Sequence, residues 1–322
     1  MNAAYHHAIV ALRRATSVVV CGHVRPDGDA IGSTLGLSLA LREAGIPAVP
    51  TLASRSDGPS TYEFLPGFAL FVAAEQLDAP DVFVAVDSPN PARLGDAEQL
   101  MRQAKTVIVI DHHPDGSGFG TVNIIDSTAA STGQLVWGLA RALEPNPSTD
   151  VAQCCYVGLI TDTGRFSYDN TSARSFLDAA DMVAAGVNPA EIARLTYQNR
   201  SKASLDIEAR AMCRLTLAND GHVAYAWVTD DDFEELSVLP EEAESLPDAV
   251  RVLGGIEVAV LLRQRGDEVR VNLRAKTGFD VGGVARAFDG GGHRAASGFT
   301  FKGDIDGLLP RLLSLLPGGE PA

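Results

Sequence analysis

The chain has 322 residues, of which 46% are hydrophobic and 21% charged; this composition excludes a disordered or fibrous protein, and the length is typical of two domains. Its 26 Lys and Arg residues against 41 Asp and Glu residues give a net charge of −15, which disfavours binding to long duplex nucleic acid. No apolar run reaches 18 residues and the N-terminus has no signal-peptide pattern, so we expect a cytoplasmic protein without a membrane partner.

Short apolar segments rich in β-branched residues recur through the first half of the chain. They predict buried parallel strands over residues 18–21, 48–52, 82–86 and 107–110. Helices are predicted between and after these strands, over residues 29–44, 131–143, 151–160 and 172–185. Because strands and helices alternate, the sequence predicts a doubly wound, mostly parallel α/β domain over residues 1–190.

The pattern changes in the second half of the chain. A long helix is predicted through residues 189–217, and residues 222–227, 256–263 and 268–275 have the pattern of antiparallel strands. Two acidic segments, residues 230–235 and 241–244, are typical of solvated helix faces. We therefore expect a helical linker over residues 191–210 and a smaller α/β substrate-binding domain over residues 211–322.

Potential metal ligands follow the ends of three predicted strands. Taken singly, a histidine here is more often structural and an aspartate more often a helix cap. Parallel strands, however, deliver their carboxyl ends to one edge of the sheet, and so many acidic groups buried there would be costly without cations. These residues are His23, Asp27 and Asp29 after the first strand, Asp87 after the third, and Asp111, His112 and His113 after the fourth.

Asp162 adds a further carboxylate at the end of the apolar helix over residues 151–160. The helix macrodipole disfavours a negative charge at this end, and a bound cation would compensate for it. Imidazole and carboxylate donors without thiolates suit Mn²⁺ or Mg²⁺ better than structural zinc. Two such ions about 3.5–4 Å apart could share Asp87, activate a water and stabilise the charge on a phosphoryl group. The pattern therefore predicts phosphoryl hydrolysis.

Positive charge is concentrated in the second predicted domain. Residues 263–294 contain seven basic and four acidic residues within a strongly acidic chain, although each basic residue alone is typical of a solvated surface. The segment Gly290–His293 reads Gly-Gly-Gly-His, which either lets the backbone approach a phosphate closely or forms a flexible turn. Both features favour an anionic substrate of small size.

Four segments in order, HVRPDGDAIGS, VAVDS, VIVIDHH and GLITDTGRF, resemble the motifs of the DHH phosphoesterase family. The later segments VNLRAKTG and GGGHRAASGF resemble the DHH-associated substrate domain, so the resemblance covers nearly the whole chain. Among its subfamilies the compact chain is most similar to the group of bifunctional oligoribonucleases and 3′-phosphoadenosine-5′-phosphate (pAp) phosphatases, which also contains cyclic-dinucleotide phosphodiesterases.

The resemblance implies a role for each candidate residue. Asp87 would bridge two metal ions, His113 would donate a hydrogen bond or proton to the substrate, and Asp111 would orient an imidazole. One ion would be held by His23, Asp27 and Asp87, and the other by Asp29, Asp87, His112 and Asp162. The distal part of the substrate would be bound by Arg274 and His293, with Gly291, Gly292, Asn272 and Lys276 as further contacts.

We therefore expect an enzyme that requires two divalent ions, Mn²⁺ before Mg²⁺, and that hydrolyses short oligoribonucleotides, linear dinucleotides and pAp. A cyclic-di-AMP phosphodiesterase is the nearest alternative, because the same core would serve it. An inorganic pyrophosphatase is less favoured, since its small substrate needs a denser cluster of Lys and Arg. A catalytically silent nucleotide-binding regulator and a metal-storage protein represent other classes. The resemblance also implies a homodimer.

Overall fold

The computed structural model describes residues 3–54, 60–114, 116–243, 245–292 and 294–319. The chain divides into two compact units, Met1–Gln198 and Asn199–Ala322. Within the described residues, no helix combines the length and the apolar character needed to cross a bilayer.

The first unit contains a five-stranded sheet in which every strand is parallel to its neighbours. The strand order is β2-β1-β3-β4-β5, so the predicted doubly wound α/β architecture is confirmed. The sequence pattern missed the last strand, a short and half-exposed edge segment. The strands are β1 (Val18–Cys21), β2 (Ala48–Thr51), β3 (Val82–Val86), β4 (Thr106–Asp111) and β5 (Val122–Ile125).

Seven α-helices belong to the described part of this unit. Helix α2 follows β1 directly and begins at the loop that contains His23 and Asp27. Helices α4 and α5 pack against α2 on the same face of the sheet. The helices are α1 (Ala3–Arg14), α2 (Gly28–Glu43), α3 (Glu98–Gln103), α4 (Thr132–Leu143), α5 (Thr149–Asp162), α6 (Ala173–Ala184) and α7 (Pro189–Tyr197).

Both faces of the first sheet are covered, which explains why its strands are apolar without alternation. Val18 and Val20 of β1 point into the larger core, together with buried leucines of α2, α4 and α5. Val19 and Cys21 point into a second core on the opposite face. Successive side chains of a strand alternate between faces, so all four residues of β1 are buried.

Helices α2 and α5 pack closely because each has a glycine at the contact. A Cβ atom on Gly32 would lie 2.4 Å from the carbonyl oxygen of Cys154, and one on Gly158 would lie 2.5 Å from Oδ1 of Asp29. Neither position has room for a larger residue without a shift of the neighbouring group. The close contact places Asp29 between the two helices, where it has no exposure to solvent.

The second unit is built on a six-stranded mixed sheet with the order β10-β11-β9-β8-β7-β6. Five α-helices accompany it within the described residues of this unit. The strands are β6 (Thr216–Ala218), β7 (Val223–Thr229), β8 (Val258–Arg265), β9 (Glu268–Ala275), β10 (Gly291–Gly292) and β11 (Ala296–Lys302). The helices are α8 (Lys202–Cys213), α9 (Asp230–Leu236), α10 (Leu246–Arg251), α11 (Val281–Arg286) and α12 (Ile305–Ser314).

The prediction of one long helix over residues 189–217 is wrong. Helix α7 ends at Tyr197, and Ser201 starts α8 as an N-cap whose hydroxyl accepts a hydrogen bond from the amide of Ser204. A serine at this position favours a new helix start because it satisfies one of the free amides of the first turn. Residues 216–218 leave the helix to form β6, which pairs with β7.

Two further expectations for this unit need correction. Strand β7 is parallel to β8, not antiparallel. The connection between them contains α9 and α10 and returns the chain to the end of the sheet at which β7 begins. The acidic segment at residues 230–235 is not wholly solvated, since Asp232 is buried and pairs with Arg210 and Arg214. In the second acidic segment, Glu244 and the side chain of Glu241 lie outside the described residues.

Candidate active site

The carboxyl edge of the first sheet gathers the histidines and aspartates that follow β1, β3 and β4, together with Asp162 at the end of α5. Three overlapping groups have ligand atoms within 4.8 Å of one another. Asp87 is shared by two groups, and His112 by two. The groups are His23 with Asp27 and Asp87, Asp87 with His112 and His113, and Asp29 with His112 and Asp162.

All six residues predicted as metal ligands therefore lie in one cluster. The structure adds His113 to a possible ligand group, whereas the resemblance implied a role toward the substrate only. Most members are buried, but the side chain of Asp27 is 56% exposed and that of Asp162 is 24% exposed. The cluster is thus open to solvent, and to a ligand, on the side of these two carboxylates.

The orientation of His23 suits it to bind a cation. Its Nδ1 lies 2.9 Å from the carbonyl oxygen of Val24, and a carbonyl can only accept, so Nδ1 carries the proton. The other ring nitrogen, Nε2, faces Asp87 at 3.4 Å and Asp27 at 3.8 Å. Burial lowers the pKa of His23, but the hydrogen bond to Asp87 and the charges of Asp27 and Asp87 outweigh burial and raise it. A cation between these carboxylates would displace the Nε2 proton and accept the lone pair of this nitrogen.

The second imidazole, His112, faces three carboxylates. Its Nε2 lies 3.1 Å from Asp162, 3.6 Å from Asp87 and 3.9 Å from Asp29. Asp87 has a positive φ of 53°, which aspartate tolerates better than most residues. Its amide donates to the carbonyl of Ile110 at 2.9 Å, so the turn after β3 is tied to the neighbouring strand β4. This bond places the Asp87 carboxylate between both histidines.

Two residues that the sequence interpretation did not select hold Asp29 in place. The amides of Thr132 and Gly133, in the first turn of α4, donate to its two carboxylate oxygens at 2.6 and 2.7 Å. The hydroxyl of Thr132 also donates to Asp87 at 3.0 Å. A helix N-terminus stabilises negative charge, and the signal for it was the N-cap Ser131 followed by small residues.

The carboxylates of the cluster repel one another. Burial, followed by the charge of Asp87, raises the pKa of Asp29 to about 7, and burial with the charge of Asp29 raises the pKa of Asp162 well above its usual range. Asp87 is the exception, because burial would raise its pKa but the hydrogen bond to His23 and the charges of the histidines lower it. Without additional cations the cluster retains protons on acidic side chains.

Asp111 and His113 form a pair beside the cluster. The Nδ1 atom of His113 lies 2.7 Å from Oδ1 of Asp111, which is fully buried. Burial lowers the pKa of His113, but the hydrogen bond to Asp111 and the charge of Asp87 outweigh burial and raise it to about 9. His113 therefore carries a proton at neutral pH in the metal-free protein.

The donor set fits divalent cations. Imidazole nitrogen and carboxylate oxygen are the only donors in the three groups, as expected for Mn²⁺, Mg²⁺ or a similar ion. The carboxylates are close enough together for burial and mutual repulsion to raise two of their pKa values. Cations would relieve this repulsion, so the residues present match such ions in both chemistry and charge.

Only some of the residues predicted to bind the substrate in the second unit lie close to one another. Asn272 and Arg274 lie on one face of β9, and Gly291 pairs with Gly298, the neighbour of Asn272. The Oδ1 atom of Asn272 is buried and has no hydrogen-bond partner among the described residues. A ligand amide or hydroxyl would satisfy it.

The other predicted contacts are arranged differently. Arg274 is 3.3 Å from Asp248, and the ammonium of Lys276 donates to the carbonyl of Leu253 at 2.8 Å. Gly292 has a φ of 128°, and a Cβ atom there would come within 2.7 Å of the carbonyl oxygen of Ala296, so the turn requires glycine. His293 lies outside the described residues.

A parallel α/β unit with a histidine–aspartate cluster at its carboxyl edge, followed by a smaller mixed-sheet unit, is the architecture of a two-domain phosphoesterase. Residues 17–159 match the model of the DHH family N-terminal domain, and residues 220–316 match that of the DHHA1 domain. The chain belongs to the DHH family of phosphoesterases.

Similar proteins include two bifunctional oligoribonuclease and PAP phosphatase NrnA enzymes. That of Thermus thermophilus is 31% identical over 299 residues, covering 92% of this chain and 88% of the relative. That of Bacillus subtilis is 27% identical and covers 88% of each chain. The cyclic-di-AMP phosphodiesterase GdpP of Geobacillus thermodenitrificans is 24% identical and matches 89% of this chain but only 45% of its own length.

Among solved structures, an exopolyphosphatase-related protein from Bacteroides fragilis has the same fold. The TM-score is 0.88 at 23% sequence identity, and the match covers 97% of this chain and 95% of the other. At this identity the likeness concerns the fold alone.

Proposed function

We propose that this protein is a metal-dependent hydrolase of short nucleotides. It would cleave short oligoribonucleotides and linear dinucleotides to mononucleotides, and would convert pAp to AMP. The observation that carries the proposal is the cluster of three overlapping ligand groups at the sheet edge, with Asp87 and His112 shared. The similarity to NrnA enzymes over most of both chains supports the choice of substrate.

We propose two metal ions, with Mn²⁺ as the preferred ion. Such ions lower the pKa of a bound water and stabilise the charge that develops on a phosphoryl group. The amides of Thr132 and Gly133 would keep Asp29 ionised and oriented for this purpose. One ion would be held by His23, Asp27 and Asp87, and the other by Asp29, Asp87, His112 and Asp162.

The remaining residues of the site would act on the substrate. His113 would donate a proton to the oxygen that leaves phosphorus, while Asp111 keeps the imidazole ring in the required orientation. In the second unit, Asn272 and Arg274 would bind the distal nucleotide. Gly291, Gly292, His293 and Lys276 would complete this contact.

Hydrolysis assays test the proposal. The purified protein with Mn²⁺ should release mononucleotides from a 5′-labelled dinucleotide and phosphate from pAp. Asp87→Asn should lower turnover by about a thousandfold or more, because it removes a ligand from two groups. Asp126→Asn is the matched control, since Asp126 follows β5 but pairs with Arg174 outside the cluster. A wild-type protein inactive on both substrates would contradict the proposal.

The same assay separates the alternatives. Cyclic di-AMP is added as a third substrate, and its preferential cleavage would favour the phosphodiesterase alternative, to which the shorter match with GdpP gives less support. Tight nucleotide binding without turnover would indicate the silent regulator. Metal binding without either would indicate a storage protein.

We further propose that the protein is a cytoplasmic homodimer. Helix α6 supports the dimer because it exposes Phe176, Leu177 and Val183, whose exposed fractions are 56%, 71% and 40%. Two copies of this apolar surface would bury one another. Analytical ultracentrifugation should show a dimer for the wild type and a monomer for Leu177→Glu, whereas Val252→Glu, at an exposed position of the second unit, should leave the dimer intact.

A further inference from the structure

A short 3₁₀ segment, Pro91–Ala97, lies next to the loop that contains His23 and Asp27. The amide of Val24, within that loop, donates to the carbonyl oxygen of Arg93 at 2.8 Å. Because Val24 is the residue after His23, this bond fixes the backbone of Arg93 beside a residue of the candidate metal cluster.

The residues after Arg93 keep the segment in this position. Leu94 is fully buried in the smaller core of the first unit. Gly95 has a φ of 50°, and a Cβ atom there would lie 2.6 Å from Cγ1 of Val24 and 2.4 Å from the carbonyl oxygen of Ala53. The backbone of residues 94 and 95 is therefore packed closely against its neighbours. This packing fixes the position from which the side chain of Arg93 extends.

The guanidinium of Arg93 has no ion pair or hydrogen bond with any described residue, although its side chain is half-buried. Neighbouring cations are paired, Arg102 with Glu98 and Lys105 with Asp81. The bond from the Val24 amide to the Arg93 carbonyl oxygen places the backbone of Arg93 beside the residue that follows His23, so the side chain of Arg93 begins next to the cluster. The guanidinium donors of a half-buried arginine without a described protein partner are available to an anion.

We infer that Arg93 binds a nonbridging oxygen of the phosphoryl group that the enzyme hydrolyses. A guanidinium offers a planar pair of donors that matches two oxygens of a phosphate. This inference rests on the proposed function, and it adds a cation from the first unit to the substrate contacts that were expected in the second. Since every proposed substrate presents a phosphoryl group at the cluster, Arg93 serves dinucleotides and pAp alike.

The test compares Arg93→Gln with the wild type in the full-length protein with Mn²⁺. The kinetic constants are measured on a dinucleotide and on pAp, and the dissociation constant of inorganic phosphate is measured by calorimetry. Loss of a charge-assisted hydrogen bond should lower kcat/KM by about ten- to hundredfold on both substrates and weaken phosphate binding at least about tenfold. Arg93→Lys should recover part of the loss, and Arg102→Gln should change neither quantity, since Arg102 is exposed and paired with Glu98.

The outcomes separate this inference from the proposed function. If the wild type hydrolyses neither substrate, the proposed function fails, and phosphate binding by wild type and Arg93→Gln still decides the role of Arg93. Equal phosphate affinities overturn the inference, as does a kinetic defect confined to one of the two substrates. If Arg93→Gln does not fold, Arg93→Met replaces it, because methionine keeps the apolar stem and removes the charge.

Discussion

At the scale of single residues, hydrogen bonds orient the cluster before any cation binds. The Nδ1–H group of His23 donates to Val24, and both oxygens of Asp29 accept from the backbone of α4. Side chains fixed in this way have already lost their rotational freedom on folding, so binding a cation costs little further entropy. The same bonds keep like charges at short distances, which a cation would offset.

His113 and Asp111 give a prediction for the metal-free protein. The pKa of His113, followed by NMR, should be about 9, because the hydrogen bond to Asp111 and the charge of Asp87 outweigh burial. Asp111→Asn should lower this pKa toward the ordinary histidine value, since the amide oxygen carries no full charge. Asp126→Asn should leave it unchanged. A wild-type pKa near 6.5 would contradict the assigned pair.

Thr132 gives a second prediction at this scale. Thr132→Val keeps the amide bond to Asp29 but removes the hydroxyl that donates to Asp87. A hydrogen bond to a charged group contributes about 1.5–3 kcal/mol, so affinity for Mn²⁺ should fall by about ten- to a hundredfold. Thr132→Ser should retain wild-type affinity, because serine keeps the hydroxyl. Calorimetry with the metal alone measures the effect, and an equal loss in both variants would assign Thr132 to packing only.

At the scale of secondary-structure elements, the contact between α2 and α5 determines where Asp29 lies. Gly158→Ala would place a methyl group 2.5 Å from Oδ1 of Asp29, and three hydrogen bonds prevent that carboxylate from moving freely. We expect the variant to lose at least about tenfold in Mn²⁺ affinity. Gly138→Ala in α4 is the control, since its nearest contact would be 3.6 Å from Tyr5. Equal affinities would show that α5 can shift without cost.

Helix α9 gives a prediction about stability. Burial would raise the pKa of Asp232, but the hydrogen bonds from Arg214 and Thr229 lower it to about 2. A lowered pKa means that this contribution is present above pH 4 and is lost as the pH falls from about 4 toward 2. Asp232→Asn should therefore lower the free energy of unfolding by about 2–4 kcal/mol at neutral pH.

Urea unfolding at several pH values measures this difference. It should be largest at neutral pH and shrink below about pH 4, because the wild-type carboxylate becomes protonated there. Glu235→Gln is the control, since Glu235 contacts Arg210 but is 65% exposed. Exposed ion pairs contribute at most about 1 kcal/mol. A difference between wild type and Asp232→Asn that does not change with pH would count against the ion pair as its source.

At the scale of the whole molecule, the net charge of −15 opposes the approach of long polyanions. The ratio of kcat/KM for an oligonucleotide of about 20 residues to that for a dinucleotide should rise with salt, because ions screen repulsion beyond about 10 Å at 0.1 M. The measurement uses both substrates at low and moderate ionic strength. A ratio that falls with salt would indicate a basic channel that attracts long strands instead.

The sequence by itself determined the core of the first unit and the membership of the histidine–aspartate cluster. The boundaries of four strands were predicted to within one residue, because apolar segments rich in β-branched residues are local signals. The cluster followed from the same pattern, since parallel strands bring whatever follows them to one edge. His23, Asp87 and His112 were therefore found together although 89 residues separate the first from the last.

Only the tertiary structure decided which groups support the cluster. The bonds from Thr132 and Gly133 to Asp29 span more than 100 residues, and the unpaired guanidinium of Arg93 is defined by the absence of a partner among the described residues. The parallel pairing of β7 with β8 likewise depends on the path of the intervening chain. Local periodicity reports which face of an element is buried, but the partner of a buried polar group depends on how distant elements pack.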